Sequence, residues 1–333
     1  MKSQSSSFRY APCFLVLGLV FSAITTHAQN NGATALLTAP VANADQQDRS
    51  FVVKVTGHGR PMILIPGLAS SGETWDSTAA HYQDLYECHV LTLAGFAGVP
   101  PIHGPLLRTV VEGLAAYIQQ QHLAKPIIIG HSLGGNVAME LAARHPDLVG
   151  PVVIVDSLPF YAGAWFGVKS VEEANASIAA MHAYMSLQTH EQYIATARSG
   201  AATKYMVTDA AKWRQIIGWS VASDQATVAD SMAELVTEDL RPELTHINSP
   251  TLVLGTWVGL KEQLAQGNVN VTRASVQDTF QQQFANLPHL HFVMTDTSRH
   301  FIMFDDPSWF FAQLDAFLAD PAAAGKDRGF TGN

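Results

Sequence analysis

Ser132 is the residue whose surroundings promise chemistry. It stands in Gly130-His131-Ser132-Leu133-Gly134, a G-x-S-x-G pattern, between the apolar run 127–129 and a helical pattern that continues through 143. A strand, a sharp turn and a helix with one serine at the tip make a nucleophile elbow. The two glycines leave room for strand and helix to approach closely. The Leu133 N–H, in the first helical turn, then points where an oxyanion would form. A serine hydroxyl is a weak nucleophile until a base takes its proton. Of the 14 histidines, His300 is the best placed, because it follows the apolar run 292–294 by the short loop 295–299 and precedes the final helix. In a parallel sheet that loop emerges at the same edge as the elbow. The chain order, serine first and histidine last, is that of one triad class. His131 reads as structural. His289 and His291 alternate about Leu290 and read as residues at the start of a strand, since no Cys, Asp or Glu completes a metal set. The chemistry that Ser132 and His300 point to first is acyl transfer to water, which calls for no cofactor and no metal.

The elements that must position these residues are legible as a pattern. Strands are expected at 51–56 and 62–65 and around 90–91, 127–129, 152–155, 252–254 and 292–294. Helices are expected at 106–122, 133–145 and 307–318. Apolar strands alternating with amphipathic helices predict an α/β fold, a mostly parallel, doubly wound sheet covered on both faces. Asp306 and Pro307 suit the N-cap and first position of the last helix, so Asp305 and Asp306 read as capping groups. Residues 158–246 break the alternation. Helical patterns at 171–185, 191–199, 210–220 and 225–236 without a strand predict an all-helical lid over the site. Under that reading Tyr161, Trp165, Phe166, Tyr184, Tyr193, Trp213 and Trp219 are candidates to line an apolar pocket or to pack the lid. The core then comprises 51–157 and 247–320.

The N-terminus follows another logic. Lys2 and Arg9 precede an uncharged apolar run over 11–24, and Thr26-His27-Ala28 offers a cleavage site, so residues 1–28 read as a secretory signal peptide. The run is short for a membrane span. Cleavage removes two of the 19 basic residues and none of the 28 acidic ones, taking the net charge from −9 to −11. So acidic a chain argues against nucleic acid or an anionic membrane surface as partner, and no stable membrane association is expected once the signal is removed. Residues 29–50 read as a flexible leader and 321–333 as a disordered tail. Cys13 lies in the signal segment, leaving Cys88 as a free core cysteine.

These features together resemble the α/β-hydrolase superfamily over roughly residues 51–320. The resemblance rests on 56–67 (Thr-Gly-His-Gly-Arg-Pro-Met-Ile-Leu-Ile-Pro-Gly), on the elbow, and on the ending strand–loop–His300–helix. It implies an eight-stranded, mostly parallel sheet and a Ser–His–acid triad. It also implies an oxyanion hole made by the N–H groups of Leu68 and Leu133. Pro66-Gly67 stands where many members carry His-Gly. Most members place the acid in the loop after the strand that corresponds to 252–254. Here that loop, 255–262, holds no acid before Glu262. Some members carry it instead at the end of the strand after the elbow helix, where this chain has Asp156. Asp156 is the first choice, Glu262 the second, with Asp296 and Asp224 behind them.

The reading is an exported serine hydrolase that cleaves an ester, lactone or thioester of a small-molecule acyl substrate. Relatives that open epoxides or displace halide use aspartate at the elbow, which Ser132 argues against. A ligand-binding or signalling protein on the same fold stays open, as do acyltransferase and amidase chemistry on the same residues. Sustained turnover separates the enzymes from the binding protein. Oligomeric state is not legible.

Overall fold

The structure, a computed structural model, describes residues 50–322. Seven strands form a single sheet: β1 (Phe51–Gly57), β2 (Arg60–Ile65), β3 (Tyr86–Leu93), β4 (Ile127–His131), β5 (Val152–Val155), β6 (Thr251–Thr256) and β7 (Leu290–Thr295). Their spatial order is β1-β3-β2-β4-β5-β6-β7. Only β1 runs antiparallel, pairing Phe51 with Leu93 through Gly57 with Glu87. The remaining pairs are parallel. The eighth strand implied by the resemblance is absent among the described residues: β1 is itself the outer edge, and nothing pairs beyond it.

Both faces of the sheet are buried, and strand periodicity says how. Ile128 belongs to one apolar cluster while Ile127 and Ile129 belong to the other. Ile63 and Ile65 divide from Met62 and Leu64 in the same way. Successive side chains point to opposite faces, so a strand covered on both sides must be apolar throughout. Cys88 in β3 is a free, buried thiol, and burial pushes its pKa up to about 11.

The helices, in chain order, begin with α1 (Asp76–Tyr82), α2 (Leu106–Gln120) and α3 (Leu133–Arg144). Five helices then separate β5 from β6: α4 (Tyr161–Phe166), α5 (Val171–Ser186), α6 (His190–Ser199), α7 (Ala210–Ala222) and α8 (Gln225–Thr237). The chain ends with α9 (Val258–Ala265), α10 (Arg273–Gln283), α11 (Ile302–Asp305) and α12 (Pro307–Ala319). Asp306 caps α12 through the Trp309 N–H, with Pro307 at the first turn. Asp305 does something else: its carboxylate accepts from Thr208 N and Oγ1 and from Arg299 N, tying the helical insertion to the loop that carries His300.

The insertion is fastened to the core elsewhere as well. Glu234 of α8 accepts the N–H groups of Leu106 and Leu107, satisfying donors at the start of α2 that Pro105 cannot cap. At the turn between α7 and α8, Asp224 N donates to Gly95 O and Ala97 N to Ser223 Oγ. The expected leader (29–50) falls outside the described residues except for Ser50. That residue is buried, and its carbonyl accepts from Ala94 N. The expected signal segment (1–28) and the tail from 323 onward also lie outside the described residues. Among those described, no helix is long and apolar enough to cross a membrane.

Candidate active site

The carboxyl ends of β2, β4, β5, β6 and β7 all lie along one edge of the sheet, because these strands are parallel. Leu68, Ser132, Asp156 and His300 each follow one of those strand ends, and Leu133 opens the helix beyond β4. Ser132 follows β4 directly and takes φ 53° and ψ −122°, a region a non-glycine residue rarely occupies. Such strain is held in place by its surroundings. A Cβ at Gly130 would collide with the Gly134 carbonyl, and one at Gly134 with the Ile65 carbonyl. The elbow therefore requires glycine at both positions. Ser132 N donates to Val155 O, and Ser132 O accepts from Gly135 and Asn136. Leu133 opens α3, whose first N–H groups have no acceptor within the helix. Leu68 follows β2, the strand paired with β4, and lines the same cavity as Ser132.

His300 sits between β7 and α11 and also faces that cavity. Its Nδ1 lies 2.6 Å from Asp156 Oδ2, a short charge-assisted contact. Asp156 Oδ1 accepts from Thr256 N at 3.2 Å, so the carboxylate faces the histidine with one oxygen and anchors the β6 end with the other. Asp156 also has a positive φ, 45°. The other carboxylates are occupied elsewhere. Glu262, the second choice, pairs with Arg299 at 2.8 Å. The stretch expected to be a loop is the end of β6 followed by α9, which carries Glu262 away from His300 Nδ1 toward the neighbouring arginine. Asp296 accepts from Trp257 Nε1 and Arg273 Nε. Asp224 caps α8 through Thr227 N and Oγ1.

Two residues at the site have partners that their sequence positions do not reveal, although the sequence reads His131 as structural. His131 is fully buried, its ring centroid lies 4.5 Å from those of both His300 and Phe301, and its Nε2 donates to the His300 carbonyl at 3.1 Å. Burial first, and the neighbouring His300 second, hold its pKa well below the usual histidine value, so it is a neutral brace under the His300 loop. Tyr161, the first residue of α4, reaches back to the elbow. Its hydroxyl is 3.1 Å from Ser157 Oγ, and Tyr161 lines the same cavity as Ser132. Burial pushes the phenol pKa up to about 12, so the hydroxyl stays protonated at neutral pH. The sequence marked Tyr161 only as an aromatic pocket candidate. Its contact with Ser157 depends on α4 turning back immediately after β5.

Of the aromatic candidates, Tyr161, Trp165, Tyr184 and Tyr193 line the cavity over Ser132. Phe166, Trp213 and Trp219 pack against the apolar clusters instead, and Trp219 Nε1 donates to Glu73. Among the described residues no group of three or more His, Cys, Asp or Glu could hold a metal ion. A serine held in a strained elbow, with a histidine oriented by a carboxylate and backbone N–H groups nearby, can form and break an acyl bond to the serine oxygen.

Comparison with known proteins agrees with this architecture. The pimeloyl-[acyl-carrier protein] methyl ester esterase of Vibrio cholerae is 29% identical over 203 residues, covering 60% of this chain and 76% of the relative. The sn-1-specific diacylglycerol lipase ABHD11 of Danio rerio is 32% identical over 160 residues, 45% of this chain and 49% of the relative. Among solved structures, the enol-lactonase of Burkholderia xenovorans superposes with a TM-score of 0.62 at 17% identity, covering 81% of this chain and 96% of that one. A bromoperoxidase of Bacillus anthracis gives 0.64 at 17% identity over 81% and 95%. The model of the alpha/beta hydrolase family matches residues 62–313, which include every site residue named above, and the chain belongs to that family.

Proposed function

We propose that this protein is a serine hydrolase that cleaves carboxylic esters through an acyl-enzyme on Ser132. His300 Nε2 takes the Ser132 proton as Oγ attacks the ester carbonyl. The N–H groups of Leu68 and Leu133 hold the oxyanion; losing one such donor costs roughly a hundred- to a thousandfold in rate. As the bond to the leaving alcohol breaks, His300 returns the proton to the departing oxygen. Water then repeats the sequence on the acyl-enzyme and regenerates Ser132. Asp156 accepts from His300 Nδ1, fixing the tautomer and stabilising the imidazolium that forms.

The observation that carries this reading is the 2.6 Å contact between His300 and Asp156 at the cavity that Ser132 faces. Relatives named as esterases and a lipase support ester cleavage as the reaction class. The five-helix insertion supplies much of the cavity wall, which supports its assignment as a lid. Export by cleavage after Ala28 is part of the proposal and rests on the charge and hydropathy pattern of residues 1–28. The substrate belongs to the small-molecule acyl compounds rather than to proteins or nucleic acids.

The test is labelling of the mature protein with a fluorophosphonate, with p-nitrophenyl ester turnover measured in parallel. Ser132→Ala and His300→Ala should lose both. A folded wild type that neither labels nor turns over would replace this reading with that of a binding protein on the same fold.

A further inference from the structure

The cavity above Ser132 constrains which ester enters. Its volume is about 2100 Å³, against roughly 300–1,000 Å³ for an ordinary small-molecule pocket. Leu158, Met181, Met185, Met232, Leu235 and Phe280 supply apolar wall from both sides of the insertion. Four of the chain's nine methionines face the space. Methionine is flexible and polarisable, so such a wall can close on hydrocarbon of varied shape.

Charge is distributed unevenly. Among the described residues, Asp156 is the one acidic residue that lines the cavity, and its carboxylate is held by His300 and Thr256. Lys169 and Arg241 are the Lys and Arg of the lining among those residues. Lys169 is exposed, and the Arg241 guanidinium is taken by Asp239 at 2.8 and 2.6 Å while it lies over the Phe160 ring. Away from the exposed Lys169, a charged substituent buried in this space would lack a charged partner, which is costly, whereas each buried methylene is favourable.

We propose that the substrate is a neutral ester with a long hydrocarbon acyl chain, of lipid size, which the cavity takes up as the ester carbonyl reaches Ser132. This rests on the ester-hydrolase reading above.

The experiment is a series of p-nitrophenyl esters from acetate to decanoate, each below its solubility limit, on the full mature chain. kcat/KM should rise by up to about fourfold per added methylene and exceed the acetate value at least a hundredfold by the octanoate. The same octanoyl ester carrying a terminal carboxylate should fall at least tenfold below the octanoate. Met232→Gln should lower the octanoate kcat/KM about tenfold more than the acetate value, and Met232→Leu should not. A flat or falling series, or a preference for the carboxylate, with Ser132 still labelled by fluorophosphonate, would overturn this inference and leave the hydrolase reading standing. Loss of labelling and of all turnover in the folded protein would overturn both.

Discussion

Asp156 and Glu262 are the residues whose exchange is most informative. Asp156 orients His300 through a 2.6 Å contact, while Glu262 is bound to Arg299. Asp156→Asn is expected to lower kcat by roughly 10⁴-fold, because the amide favours the wrong imidazole tautomer. Glu262→Gln should leave kcat within about fivefold of wild type, since removing a half-exposed ion pair alters about 1 kcal/mol or less. Steady-state kinetics on one soluble ester decides both. Tyr161→Phe keeps the ring and removes the hydroxyl that meets Ser157 beside Ser132. One lost hydrogen bond corresponds to about 0.5–1.5 kcal/mol, so stability should fall by about that much, and kcat by about 3- to 10-fold if the hydroxyl also helps to hold the elbow. The KM should barely move. An unchanged kcat would show that the hydroxyl only packs.

Among the elements, the helical insertion is joined to the core by hydrogen bonds from residues far apart in sequence. Glu234 on α8 caps the start of α2, more than a hundred residues earlier in the chain. Its pKa is raised, first by burial, although the two N–H donors pull it back down. Glu234→Ala should cost about 1–2 kcal/mol, in the range of a lost N-cap. Urea unfolding measures that loss. Hydrogen exchange should show the first turn of α2 opening with it, which a purely local effect on α8 would not produce.

At the scale of the whole molecule, two buried groups oppose each other as pH changes. His131 stays neutral in the fold, so below about pH 6.5 the unfolded chain takes up a proton that the folded chain refuses. Stability therefore falls with pH at this group, by up to about tenfold in the folding equilibrium per pH unit. Glu238 behaves in the opposite sense. Burial, and then the nearby Glu140 and Glu234, raise its pKa from 4.5 to about 7, while Arg144 and Arg108 act against that rise. Between those values the folded state holds a proton that the unfolded state has released, so Glu238 destabilises the fold above pH 7 and ceases to do so toward pH 4.5. Glu238→Gln should raise stability at pH 8 by about 1–2 kcal/mol after discounting for solvent. The gain should vanish toward pH 4.5. Thermal unfolding across pH 4.5–8 gives the sign directly, and a gain that grows on acidification would contradict the assignment.

The elbow was legible in the sequence because its cause is local. A β-branched run, two glycines where a Cβ would strike backbone, and a helical pattern all fall within residues 127–143. The core strands were legible because burial on both faces demands unbroken apolar runs, and the four longer helices of the insertion because their periodicity is clear. The short α4, with its glycine and three aromatics, and the glutamine-rich α10 lack that periodicity and show only in the structure. The acid was different. Asp156, Glu262, Asp296 and Asp224 are all carboxylates near strand or helix ends, and local sequence gives each a plausible task. Which of them meets His300 depends on how β5, β6 and β7 lie side by side and on α9 turning Glu262 toward Arg299. The same holds for Tyr161 and His131, whose partners are decided by a helix reversal and by the stacking of two loops. A residue's type and neighbours along the chain specify what it can do chemically, but a contact between residues 144 positions apart, as Asp156 and His300 are, exists only once the sheet has brought the strand ends to one edge.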